Sequence, residues 1–248
     1  LKLEFISRRS KEMVSDGPSE DELPLSSLAV PQPWWSTRSS TISAVEVLAM
    51  LDAQSFPVTK RMNVVRRGEE LTSLGMCLGV THHWSRGPVV SIATRDHLEL
   101  ASFLCAFARQ ELPHVRFTSV QVNKNYRGKM HVDSCNQGPS WAYGLGDYVG
   151  GQLWVDDETP CGKATDVKER WFEFDGNRPH CVLPFRGCRY TLIFFTYGHC
   201  RRQGAAAEAV SLLHRLGFPL PLEEIGTLES PSQSFGKQRL VSAQRSFT

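Results

Sequence analysis

Apolar residues first recur at helical spacing in the stretch Thr41-Ile-Ser-Ala-Val-Glu-Val-Leu-Ala-Met-Leu51, which follows a Ser/Thr-rich region and predicts a helix that Pro57 ends. A longer helix is predicted from Arg95 to Leu112, capped by Thr94 and stopped by Pro113. Its residues Leu98, Ala101, Leu104, Cys105, Phe107 and Ala108 form one stripe. From Val115 onward the period changes to short runs separated by Gly and Asn. Strands are predicted over 117–122, 130–133, 140–145, 152–155, 171–174, 180–183 and 189–197. Residues 156–170 are polar and read as a loop insertion, and 204–216 as a closing helix. So many short strands with helices on either side predict an α+β domain whose strands close into a sandwich or barrel. Residues 1–40 mix charge, Ser and Pro without sustained periodicity and are expected to form a largely irregular N-terminal arm. The domain is expected over 41–220, with its strand core over 117–197, and a loose C-terminal tail over 221–248.

Composition sharpens this only a little. With 41% hydrophobic and 22% charged residues, the chain has ordinary globular composition. The net charge of +2 excludes a purely electrostatic nucleic-acid binder while leaving room for a local basic patch. No stretch approaches the roughly 20 apolar residues of a membrane span, so no membrane partner is expected. Seven cysteines without a C-x-x-C pair argue against a disulfide framework, a disulfide-linked partner or a thiolate zinc site. They are expected to be mostly small buried apolar residues, in an intracellular setting, nucleus or cytoplasm. The start at Leu1, with no Met and no signal-peptide pattern, is what a fragment of a longer chain would show.

The chemistry starts at His131-Val132-Asp133. With 8 His and 26 acidic residues, about one His-x-acid match is expected by chance, and the chain holds a second, His97-Leu98-Glu99. Secondary structure separates them: residues two apart share a face of a strand but diverge by about 200° on a helix, so only His131 and Asp133 can meet one ion. His180, where a turn feeds a strand, offers the third ligand. Two imidazoles and one carboxylate on one face suit a non-haem Fe(II) oxygenase. They would also suit zinc hydrolysis, so the ligands alone do not choose the metal. Arg189 and Thr191, on the next strand, do choose. A guanidinium at the inner end of an apolar pocket needs an anion, and its fork matches a carboxylate. A dicarboxylate with a keto oxygen spans both ends, which describes 2-oxoglutarate. Arg186 competes as an anchor, but it precedes the Gly187 turn and is expected to point to solvent.

The ordered set His131-x-Asp133, Gly150-Gly151-x-Leu153, His180 and Gly187-x-Arg189-x-Thr191 resembles the double-stranded β-helix (jelly-roll, cupin-like) core of the Fe(II)/2-oxoglutarate dioxygenase superfamily. Within it, the stretch from Gln121 to Ser140 is similar to the TET/JBP group of DNA-base hydroxylases. This resemblance implies Fe(II), 2-oxoglutarate and O2 as cofactors, with ascorbate in a supporting role. It also implies polar co-substrate contacts from Asn123 and Tyr126, and a substrate contact from Asn136, which stands three positions after Asp133. The implied reaction is hydroxylation of a methyl group on a nucleic-acid pyrimidine, 5-methylcytosine or thymine. The chain departs from the group at Cys135 and lacks its cysteine-rich zinc-binding region. Alternatives are a prolyl-type protein hydroxylase, whose relatives often carry Lys where Arg189 stands, and a non-catalytic binding module that keeps the fold. For a nucleic-acid partner the basic cluster Lys124, Arg127 and Lys129 lies next to the metal dyad, whereas Lys60, Arg61, Arg66 and Arg67 are expected farther away. Trp141, Tyr143 and Trp154 are expected to fill the barrel.

Overall fold

Alternating side chains along one six-stranded sheet meet two different environments. A computed structural model describes residues 24–30, 32–36, 41–59, 61, 64–83, 85–157, 161–198 and 206–221. The sequence expectations for 1–23, 37–40 and 222–248, and for Lys60 and Cys200, fall outside these residues. The sheet is built from β1 (Leu74–His83), β2 (Gly87–Val90), β3 (Ser119–Lys124), β4 (Asn136–Leu145), β8 (Phe172–Phe174) and β11 (Tyr190–Tyr197), in the order β2-β1-β3-β11-β4-β8. Every neighbouring pair is antiparallel. On its outer face Leu78, Val120, Val122 and Leu192 join one apolar cluster with residues of α1 (Ala44–Asp52), α3 (Leu98–Glu111) and α4 (Ala207–Arg215). Each large aliphatic side chain buried there contributes about 2 kcal/mol.

The inner face is different. Register places Gly75, Asn123, Thr191 and Gly144 in one cross-strand row, and Cys77, Gln121, Ile193 and Ala142 in the next. The remaining strands are β5 (Tyr148–Gly150) paired with β10 (Phe185–Gly187), and β6 (Leu153–Val155) paired with both β7 (Lys163–Thr165) and β9 (His180–Val182). The pairs β4·β11, β5·β10 and β6·β9 therefore nest inside one another, as they do when a long hairpin is rolled up. That is a double-stranded β-helix of jelly-roll type, flanked by helices in an α+β fold. A second apolar cluster, Ala142, Leu153, Val155, Val167 and Phe174, draws on β4, β6 and β8.

Several expectations change. The long helix is broken: α2 (Ile92–Asp96), capped by Ser91, ends at His97, whose φ of −130° and ψ of 48° separate it from α3. Thr94 is not a cap. Its buried hydroxyl accepts the backbone N–H of Gly79 at 2.7 Å and ties α2 to β1, so the chain has to turn before α3 can run along the sheet. Residues 130–133 are not a strand, and only His131 makes an isolated bridge, to His180. Strands β1, β2, β5, β7 and β10 were not expected. Tyr143 packs against Phe107 and Trp171 on the helix-covered face rather than filling the barrel. No helix among the described residues is long and apolar enough to cross a membrane.

Candidate metal centre and its cavity

His131 and His180 face each other because their backbones form a two-way bridge, His131 N–H to His180 O at 3.0 Å and the reverse at 2.9 Å. The rings stand 4.3 Å apart. Asp133 is pinned separately, its N–H donating to the Gly176 carbonyl at 2.7 Å. Convergence thus comes from a bridge and a loop contact rather than from a shared strand face. One ligand atom from each of the three residues lies within 4.8 Å of the others. His131 Nε2 is 3.8 Å from Asp133 Oδ1, and His180 Nε2 is 3.7 Å from Oδ2.

Both imidazoles are set for ligation. The Nδ1 of His131 lies 2.6 Å from the Lys129 carbonyl and that of His180 lies 2.8 Å from the Arg178 carbonyl. Because a carbonyl only accepts, each Nδ1 carries the proton and each Nε2 lone pair faces Asp133. Burial pulls the His131 pKa down to about 4, against the pull of Asp133, so the ring is neutral at pH 7. Burial alone would raise Asp133, but the Arg61 guanidinium and the two imidazoles outweigh it and hold the carboxyl below its usual range.

These residues open into a cavity of about 280 Å³ that Arg189 and Thr191 also line. Arg189 is only 2% exposed. Its Nη1 donates to the Thr191 hydroxyl; among the described residues the buried Nε and Nη2 have no hydrogen bond of good geometry, though the Tyr148 hydroxyl bears on the guanidinium. Tyr148 and Phe185 put their rings 5.3 and 5.6 Å from its guanidinium carbon. Burial draws its pKa down. Such a cation is stable only with an anion or water on its open side. Gly151 explains part of the Gly-Gly motif: its φ is +72°, and a Cβ there would stand 2.8 Å from Arg189 Nε. Arg186 is exposed on β10, as expected.

Of the other sequence candidates, Asn123 lines the cavity and accepts from Gln121 Nε2 through Oδ1 at 3.0 Å. Tyr126 is buried with its hydroxyl unpartnered, and burial first, then Asp133, push its pKa up to about 12 despite Arg61. Asn136 lines the cavity at the start of β4, with Nδ2 donating to Ser140 Oγ at 3.3 Å.

Two residues of the site were missed. Asn125, in the left-handed region at φ 52°, accepts the Arg189 N–H on its side chain at 2.9 Å and donates its own N–H to the Arg189 carbonyl at 2.8 Å. Its sequence signal was the Asn within Lys-Asn-Tyr, a residue type that tolerates positive φ. Arg61 was assigned to a distant patch. It lies in the cavity instead, with Nη2 2.6 Å from Asp133 Oδ1. The nearer basic cluster is largely engaged: Arg127 pairs with Glu69 at 2.9 Å, and Lys124 lies over the Tyr190 ring at 4.9 Å. Lys129 stays beside His131, so the change concerns Arg61. Arg61 reaches the site, and Arg66 Nη2 reaches the Val182 carbonyl at 3.4 Å. Cys77, Cys135 and Cys181 line the same cavity, whereas Cys161 and Cys188 are exposed rather than buried.

Among solved structures, the chain is similar to an oxidoreductase of the 2OG-Fe(II) oxygenase family from Burkholderia pseudomallei, at 18% identity over 64% of this chain and 81% of that one, with a TM-score of 0.45. It is also similar to NgTET1 in complex with 5mC DNA, at 14% identity over 57% and 68%, with a TM-score of 0.41. A third is a prolyl hydroxylase from Trichoplax adhaerens in complex with a hypoxia inducible factor peptide fragment, at 18% identity over 63% and 76%, with a TM-score of 0.37. No protein-family description matches the chain, and no curated protein does. At such identities likeness concerns the fold, and the chemistry has to come from the side chains.

Proposed function

We propose that the chain is an Fe(II)- and 2-oxoglutarate-dependent dioxygenase that hydroxylates a C–H bond, with residues 41–220 as its catalytic domain. The observation that carries this reading is the pairing, in one cavity, of a His-His-Asp cluster with a buried guanidinium that has two nitrogens unpartnered among the described residues. Such a guanidinium calls for an anion, which the far carboxylate of 2-oxoglutarate supplies. Iron with 2-oxoglutarate and O2 supplies the oxidation, giving succinate, CO2 and a hydroxylated substrate, and ascorbate keeps the metal reduced. His131, His180 and Asp133 hold the ion on one face. Arg189 Nε and Nη2 take the far carboxylate, with the Thr191 hydroxyl oriented by Nη1. Asn123 and the unpartnered Tyr126 hydroxyl offer further polar contacts to the co-substrate. Cavity-lining thiols at Cys77, Cys135 and Cys181 favour a reducing intracellular setting, nucleus or cytoplasm.

For the substrate we infer a methyl group on a nucleic-acid pyrimidine, 5-methylcytosine or thymine. Asn136 supports this, since its carboxamide lies at the cavity three residues after Asp133, where it can meet the polar edge of an extruded base. Exposed Lys129 and Arg67 supply cations for the backbone phosphates. The test is succinate release with Fe(II), 2-oxoglutarate and a panel of methylated oligonucleotides, unmethylated oligonucleotides and proline-containing peptides. Methylated oligonucleotides should stimulate turnover, and Asp133→Ala should abolish both metal binding and turnover. Stimulation by peptides alone would replace the base with a prolyl substrate. Succinate release that survives in Asp133→Ala would remove the ligand set altogether.

A further inference from the structure

Arg61 has no part in the reading above, yet its guanidinium stands 2.6 Å from a carboxylate oxygen of one of the three ligands. Described residues on both sides of it are fastened to the fold: Thr59 N–H donates to Ser73 O at 2.9 Å and Gly75 N–H to Pro57 O at 3.0 Å. Residues after it are also held to the metal side by Lys129 N–H on Val64 O at 2.7 Å, by the Arg127–Glu69 pair, and by Val64 and Val65 against Tyr126. The guanidinium is thus delivered by built structure and not by a wandering surface side chain. Both partners are mostly covered, with side-chain exposures of 20% for Arg61 and 19% for Asp133.

A carboxylate can bind an ion through one oxygen or both, and the choice decides how many positions remain. With two imidazoles and one oxygen, an octahedral ion keeps three positions open; with both oxygens it keeps two. A chelating keto acid together with O2 needs three. Arg61 bonds Oδ1, which stands 3.8 Å from His131 Nε2, while Oδ2, 3.7 Å from His180 Nε2, has no such donor among the described residues. A charge-assisted hydrogen bond draws electron density from the oxygen that accepts it, which leaves Oδ2 as the better ligand. We propose that Arg61 is a positioning residue that holds Asp133 to one-oxygen coordination and so keeps the third position open for the co-substrate. The proposal rests on the metal reading of the site. Its cost is a cation beside the ion, which weakens metal binding.

Co(II), which does not turn over with O2 as iron does, separates these effects in the intact chain. Wild type, Arg61→Gln and Arg61→Lys are titrated first with Co(II) alone, with visible absorption reporting coordination, and then with 2-oxoglutarate on the Co(II)-loaded proteins. Arg61→Gln should bind Co(II) as tightly as wild type or more tightly, with an altered spectrum, and should bind 2-oxoglutarate about tenfold or more weakly. Arg61→Lys, which keeps a donor and a charge, should recover part of that loss. Unchanged 2-oxoglutarate affinity in Arg61→Gln overturns the proposal, as does a parallel loss of Co(II) and 2-oxoglutarate binding. If Arg61→Gln does not fold, X-ray absorption on Co(II)-loaded wild type decides: two-oxygen binding by a carboxylate overturns the proposal, and one-oxygen binding supports it. Failure of the wild type to bind Co(II) would instead sink the dioxygenase reading itself.

Discussion

Two nitrogens of the buried Arg189 have no hydrogen-bond partner among the described residues, and a buried guanidinium whose charge is not met costs several kcal/mol. That cost makes a residue-level prediction. Arg189→Ala should raise the apparent KM for 2-oxoglutarate roughly a hundredfold, as expected for losing a buried charge-assisted contact, while metal affinity measured by titration stays close to wild type. Gly151→Ala tests the same point without removing the charge. The new Cβ meets Arg189 Nε at 2.8 Å in a backbone conformation that L side chains avoid, so the guanidinium has to move. A KM rise in the same direction is expected, with metal binding intact. The spacing of His131, Asp133, His180 and Arg189 made these four legible, since each sits beside a turn or strand signal in the sequence. Arg61 was not legible. No periodicity connects residue 61 to residue 133, and only the path of a loop brings them together.

At the scale of elements, what could be read depended on whether one face was polar and the other apolar. Helix α1 shows its period, and its Ser43 start is a capping box: Ser43 Oγ accepts the Glu46 N–H, and the Glu46 carboxylate accepts the Ser43 N–H at 2.9 Å. Ser43→Ala should cost about 1 kcal/mol and lower Tm by a few degrees, leaving Co(II) and 2-oxoglutarate binding unchanged, because α1 backs the outer face of the sheet. If the cap substitution weakened ligand binding, α1 would be coupled to the site, through the Tyr190 hydroxyl on Asp52 at 2.7 Å, more tightly than this picture allows. Strand β1 gave no such signal. Its cavity-facing positions include Gly75 and Cys77, so small residues replace the polar ones that alternation relies on. Strands β5, β7 and β10 have three residues each, too few to show any period. The segment 130–133 alternates like a strand and is not one, since its register is set by the His131–His180 bridge.

Arg61, His131 and His180 all act on the Asp133 carboxylate, and acid exposes the balance among them. In the metal-free protein His131 is held down to about 4, chiefly by burial, while the unfolded chain titrates its histidines near the ordinary value of about 6.5. Between those values the unfolded state binds a proton that the folded state refuses, so stability falls as pH drops. Sign and window follow directly: the contribution is complete above about pH 6.5 and is lost progressively toward pH 4, by an amount on the order of 3 kcal/mol. Asp133 adds to the loss only below that window, because its depressed pKa starts from a lower unfolded value. Urea midpoints of the metal-free chain at pH 7, 5.5 and 4.5 should therefore fall more steeply for wild type than for His131→Gln, which has no proton to gain at that position. Equal slopes would mean that the ring takes up its proton as readily in the fold as in the unfolded chain, so that burial does not hold it neutral.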